Sequence, residues 1–151
     1  MKTLQIDEKN ARKLYPSASA EFKATLEDTF GKEFFSQKIT DRVKTFDDAC
    51  EVLGINRLTF SDSDTPDEIA YKKIKIIVKA LNEGWAPNWD NSSEYKYYPW
   101  FDMTKNGFSG VFSDRWFACT TVGSRLCFKN AELAKYAGTQ FNSIYKDFFH
   151  I

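Results

Sequence analysis

Apolar side chains recur along this chain with two different periods. Up to about residue 85 they fall three and four positions apart, the spacing of helices with one buried face. From Glu94 to Lys129 they alternate or stand in short aromatic blocks, and from Asn130 onward the helical period returns. Ser17 or Ser19 is placed to cap a helix running to about Thr29, with Phe22, Leu26 and Phe30 on one face and Gly31 as its stop. Thr45 opens a second helix, "TFDDACEVLG". It carries Phe46, Ala49, Cys50 and Leu53 on one side, has Asp48 set for a capping box, and ends on Gly54. The strongest pattern is "TPDEIAYKKIKIIVKALNEGW". Thr65 caps, Pro66 takes the first helical position and Glu68 closes the box. Ala70, Ile74, Ile77, Leu81 and Trp85 form its stripe, broadened by Ile69, Ile76 and Ala80, which predicts a central helix over Pro66–Glu83 that packs on more than one side.

The stretches "EYKYYPWF", "GFSGVF", "DRWFACTTV" and "SRLCFK" read as antiparallel strands, the last two joined by a Val122-Gly123-Ser124 turn that sets Cys119 near Cys127. Asn130 then caps one final helix, "NAELAKYAGTQFNSIYKDFF". Its stripe is Leu133, Ala137, Phe141, Ile144 and Phe148, with Gly138 as a tolerated break or a close contact. The expectation is one α+β domain over residues 1–151: a helical N-terminal half, a small antiparallel sheet of three to four strands, and a C-terminal helix packed on it.

"IKIIVKALNEGW", "YYPWF" and above all "GSRLCFKNAELAKYAGTQF" resemble a family of small uncharacterised proteins common in gut Bacteroidetes and their phages and prophages. The resemblance covers Phe46 to Phe149. It implies a bacterial or phage setting in the host cytoplasm and an accessory or virion-associated role, and it brings no functional residue with it.

Length and charge narrow the chemistry. At 151 residues the chain is long enough to bury a core without metals or disulfides. No apolar run reaches the ~20 residues of a membrane span, and the start, "MKTLQIDEKNARK", lacks a signal peptide's apolar stretch, so a cytosolic location without membrane contact is expected. Net charge is zero, but residues 1–70 carry 10 Lys+Arg against 14 Asp+Glu and residues 71–151 carry 11 against 7. A positive face is therefore available only from the second half, and general duplex DNA binding is disfavoured.

Several chemistries fall away. The single histidine, His150, stands beside the last residue, where fraying is expected and a held nucleophile–base device is not. Cys50, Cys119 and Cys127 are an odd set without CxxC spacing. They are expected as free thiols with neither a zinc site nor any other metal. "DSDTPDE" lacks the glycine and the final glutamate of a calcium loop, since Asp67 and Lys73 stand there, and it reads as helix-capping acid. Lys72, Lys73, Lys75 and Lys79 read as a solvated helix face. No catalytic residue and no cofactor are assigned.

What remains is aromatic. From Trp85 to Phe117, 11 of 33 residues carry rings, including all four tryptophans, and part of that density falls in "GWAPNWDNSSEYKYYPWF", a stretch rich in turn residues. Filling a core is what most such rings do. "YKYYPWF", however, has Tyr95 and Tyr97 on one side of an extended strand and Tyr98 on the other, so both faces carry rings. Trp89, Tyr95, Tyr97, Tyr98, Trp100, Arg115, Trp116 and Arg125 are therefore the candidate binding residues. The expected function is a non-enzymatic protein that grips a host or virion protein through an aromatic/Arg patch. One alternative is a single-stranded nucleic-acid or nucleotide binder using the same rings for stacking. Another is a histidine-independent enzyme on a small molecule or sugar, using Asp90, Glu94, Asp102 and Asp114, whose spacing carries no signature.

Overall fold

The computed structural model describes residues 5–56, 60–104 and 110–149. His150 and the opening of the candidate strand "GFSGVF" lie outside the described residues. The chain divides into two compact units, residues 1–41 and 42–151.

The first unit is helical. Helix α1 spans Glu8–Leu14, a 3-10 turn spans Tyr15–Ser17, α2 spans Ala20–Phe30 and α3 spans Lys32–Ser36. Helix α4, Ile39–Arg42, crosses into the second unit. Ser19, rather than Ser17, caps α2, accepting a hydrogen bond from the Phe22 N–H at 3.3 Å, and Gly31 ends it at φ +86°, where a side chain would be strained. Leu26 is buried as the stripe requires. The rings pack among themselves: Phe35 stacks on Tyr15 at 4.0 Å and meets Phe34 edge-on at 4.9 Å. Tyr15 also donates to the Glu27 carboxylate, and that bond holds its phenol above the ordinary tyrosine value.

The second unit holds α5 (Phe46–Leu53), α6 (Pro66–Leu81), β1 (Lys96–Asp102), β2 (Gly110–Trp116), α7 (Ala131–Gln140) and α8 (Asn142–Phe149). The caps form as the residues predict. Asp48 Oδ2 accepts from the Thr45 N–H at 2.8 Å while Thr45 Oγ1 accepts from the Asp48 N–H at 3.1 Å. Glu68 accepts from the Thr65 N–H at 2.8 Å. Helix α6 packs against α5 on one side and α8 on another, which is why its buried face is wide: Ala70, Ile74, Ile77, Val78, Ala80 and Leu81 are all enclosed. Its regular turns end at Leu81, and Asn82, Glu83 and Gly84 turn the chain away, with Glu83 and Gly84 both at positive φ.

Two expectations change. The C-terminal segment is not one helix. It breaks at Phe141 (φ −105°, ψ 30°), so that α7 lies on the hairpin while α8 lies on α6. The stripe divides with it: Leu133, Ala137 and Phe141 are buried, and Tyr145 replaces Ile144 as the enclosed residue of α8. The sheet, in turn, has two strands among the described residues rather than three or four. β1 and β2 pair antiparallel with Lys96 opposite Trp116 and Asp102 opposite Gly110. "SRLCFK" contributes only one bridge, in which Tyr97 and Phe128 exchange N–H···O bonds of 3.0 and 2.7 Å. Val122-Gly123-Ser124 does form a turn, with Thr120 Oγ1 accepting from the N–H groups of Val122 and Gly123. It joins no paired strands, so Cys119 and Cys127 do not face each other across a hairpin. All three cysteines are free thiols.

Candidate functional site: the aromatic hairpin

Strand geometry decides what each ring does. Because the Tyr97 N–H and C=O point to Phe128, the neighbouring positions Lys96, Tyr98, Trp100 and Asp102 direct theirs to β2. Pro99, in phase with Tyr97, thus turns its hydrogen-less nitrogen away from β2, where no ladder bond is lost. Alternation also separates the side chains. Tyr97, Pro99 and Phe101, with Val111, Ser113 and Arg115 opposite, form one face; Lys96, Tyr98, Trp100, Phe112, Asp114 and Trp116 form the other.

Helix α7 covers the first face. It comes so close at Gly138 that a Cβ there would stand 2.6 Å from Val111 Cγ1, 3.0 Å from Pro99 Cβ and 3.2 Å from Phe101 Cζ. Gly138 is therefore a contact position and not merely a tolerated break. Phe101 is buried here, with its ring 5.0 Å from Tyr145.

The second face stays open. Trp100 is 55% exposed, Phe112 opposite it 57%, and Trp116 53%. Tyr98 lies half-buried between them, its ring 6.2 Å from Trp100 and its hydroxyl 3.4 Å from Asp114 Oδ2. Burial raises the Tyr98 phenol, and the Asp114 charge adds to the rise.

Of the remaining candidates, Tyr95, Tyr97, Arg115 and Trp89 gather at the Lys96 end of the hairpin. Tyr95, 37% exposed, lies with its ring tilted 32° against that of Phe117 at 4.4 Å, and the Arg115 guanidinium lies 4.6 Å over the Tyr95 ring. Tyr97, half-buried, is 6.0 Å from Tyr95. Trp89 is half-buried in the loop after α6, its indole N–H donating to Ser124 Oγ at 2.7 Å. Arg125 is exposed in the turn segment and has no hydrogen bond, ion pair or ring contact among the described residues, so Arg115 alone of the two arginines joins the rings.

No protein-family model, curated protein or solved structure matches this chain.

Other groups weighed for chemistry are engaged elsewhere. Glu94 accepts from the Asn88 N–H at 2.8 Å and pairs with Lys96 at 3.2 Å; the backbone bond first, then Lys96, holds its carboxyl below the ordinary glutamate value. Asp102 accepts from the N–H and hydroxyl of Thr104. Among the described residues no group of three or more His, Cys, Asp or Glu is placed to hold a metal ion. No helix among them is long and apolar enough to cross a membrane. Lys72 is not merely solvated, since it pairs with Asp64 at 2.5 Å and thereby lowers that carboxyl. Lys73 reaches over the rings of Phe46 and Phe60 at 5.8 and 5.7 Å, in an open depression that Cys50, Glu51 and Ile55 help to line.

Sequence reasoning missed two residues that matter here. Phe112 is the most exposed large apolar side chain of the hairpin, and only the pairing of Trp100 with Phe112 reveals it as the centre of the open face. Lys96, which strand alternation sets beside Tyr98 with nothing to mark it, is 2% exposed.

Proposed function

We propose that this protein is a non-enzymatic binding module that takes a protein partner, of host or virion origin, onto the open face of its hairpin. The observation that carries the reading is the row formed by Trp100, Phe112 and Trp116, three large rings more than half exposed on one face of a sheet whose other face is packed by α7 over Pro99, Phe101 and Val111. Leaving such a row in water forgoes burial worth roughly 1.5–3 kcal/mol for a fully buried large apolar side chain. Tryptophan and other aromatic residues also dominate the centres of protein interfaces. The setting is the bacterial cytoplasm or a virion.

Charge favours protein over single-stranded nucleic acid. The carboxylates of Asp102 and Asp114 belong to the open face. Of the strand cations, Lys96 is enclosed and Arg115 stands on the opposite face over Tyr95. A stacking platform for single strands needs cations beside its rings to follow the phosphates.

The test compares wild type with Trp100→Ser, Phe112→Ser and Trp116→Ser. Retention of a specific host or phage protein from lysate should fall at least tenfold in each variant at an unchanged melting temperature. Labelled oligonucleotides titrated at two salt concentrations should show no binding that these variants abolish. Variants that lose stability by about 3–5 kcal/mol, the cost of truncating a buried aromatic, would return the rings to the core and end the proposal.

A further inference from the structure

Lysine is among the side chains least often fully buried, and an unpaired buried charge is costly. Lys96 is nonetheless almost completely enclosed. Its ammonium donates to three backbone carbonyl oxygens of one loop: Asn88 at 2.5 Å, Asn91 at 3.1 Å and Glu94 at 2.9 Å. Glu94 Oε1 lies 3.2 Å away, and the Trp89 ring stands 5.4 Å from the Nζ atom.

A primary ammonium has three N–H donors, and three carbonyls meet them. The carboxylate supplies the opposite charge that an enclosed cation requires. A neighbouring indole face adds attraction within the usual ~6 Å of cation–π contacts. Carbonyl oxygens brought to one point repel one another unless a cation sits among them, so the loop's shape depends on its occupant. The same loop places Trp89, whose far end is tied to Ser124. Lys96, Tyr98 and Trp100 share one face, so the nest stands at the Lys96 end of the open aromatic row.

We propose that the Asn88–Glu94 loop is an oxygen nest for a primary ammonium, that Lys96 supplies the ammonium from β1, and that Lys96 is thereby the positioning residue for the Trp89 ring. The nest stands independently of what the open face binds. Arginine does not substitute, because its planar guanidinium cannot direct three donors into a tripod of carbonyls.

The experiment uses the full chain. In the wild type, nitrogen-15 NMR of the lysine ammonium groups should show one NζH3 group exchanging slowly with water, with cross-peaks to the protons of one indole. The signal should vanish in Lys96→Met. In Lys96→Ala the indole N–H signal of Trp89 should move from its hydrogen-bonded position. The atoms that substitution removes are those of n-propylammonium, so added n-propylammonium chloride should restore the signal. Tetramethylammonium, which has the charge without the N–H donors, should not, and neither should Lys96→Arg. Absence of a slowly exchanging ammonium in the wild type would overturn the proposal even where the variants fail to fold. An unmoved Trp89 signal in Lys96→Ala, no recovery with n-propylammonium, or equal recovery with tetramethylammonium would do so as well.

Discussion

The side-chain amide of Asn82 donates to the carbonyl oxygen of Cys127 at 2.8 Å, and its Oδ1 accepts from the N–H of Lys129 at 3.1 Å. Phe128, between them, turns its own N–H and C=O to Tyr97. One buried side chain at the end of α6 thus does for residues 127–129 what a further strand would do. Replacing Asn82 with Ala leaves two inward backbone groups unpaired, each costing about 1–3 kcal/mol. A urea titration of Asn82→Ala should show that loss, and Asn82→Asp, which turns a buried carboxylate oxygen toward the Cys127 carbonyl, should lose at least as much. A loss under about 0.5 kcal/mol in the Ala variant, the range of surface changes, would show that the bridge contributes nothing.

Gly138→Ala sets two effects against each other. Alanine gains about 1 kcal/mol over glycine inside a helix. The added methyl, however, meets Val111, Pro99 and Phe101 at 2.6–3.2 Å, and overpacking of that kind costs about 1–3 kcal/mol. Net destabilisation is expected, because the nearest obstacles belong to both paired strands, one of them a ring packed on α8. Thermal melts of Gly138→Ala, Val111→Ala and the double variant measure it. The double variant should be less destabilised than the sum of the two singles, and simple additivity would place the contact elsewhere.

The three thiols should differ in reactivity. Cys119 is exposed, while Cys50 and Cys127 are enclosed. Burial raises the Cys50 thiol and pushes that of Cys127 up to about 11. Because the thiolate is the reactive form, a chromogenic disulfide reagent at neutral pH should label one cysteine rapidly in the native protein and three after denaturation. Rapid labelling of Cys127 in the native state would show that the segment beside Asn82 opens far more readily than its hydrogen bonds imply.

Glu94 ties the acid limb of stability to the loop. Its carboxyl lies below the ordinary glutamate value in the folded chain, so its ionised form stabilises the fold. That contribution is complete above the unfolded value of about 4.3 and is lost as pH falls through the lowered one. Glu94→Gln should therefore be less stable than wild type near neutral pH, and its stability should fall less steeply below about pH 4. Parallel curves for the two proteins across that range would remove Glu94 from the account.

Much of this architecture is local and hence legible without the fold. Ser19, Thr45, Thr65 and Asn130 begin helices because side chains within three residues of a free N–H satisfy it, and Gly31, Gly54 and Gly84 follow helix ends because only glycine takes positive φ cheaply. The stripe of α6 needed nothing beyond its own period. The aromatic segment is another matter. Its alternation separates Tyr97 from Tyr98 but does not say which face a helix will cover, and that depends on Gly138, some forty residues later, letting α7 approach one side. Whether "SRLCFK" becomes a strand is likewise settled at a distance, by Asn82 taking the hydrogen bonds a neighbouring strand would have taken. Lys96 carries no sign of burial in its own neighbourhood, because the carbonyls that enclose it converge only when the loop folds back on β1. Capping and periodicity act within a few residues and are written in the sequence. Exposure and charge burial arise from contacts between segments far apart in the chain, and those the tertiary structure alone decides.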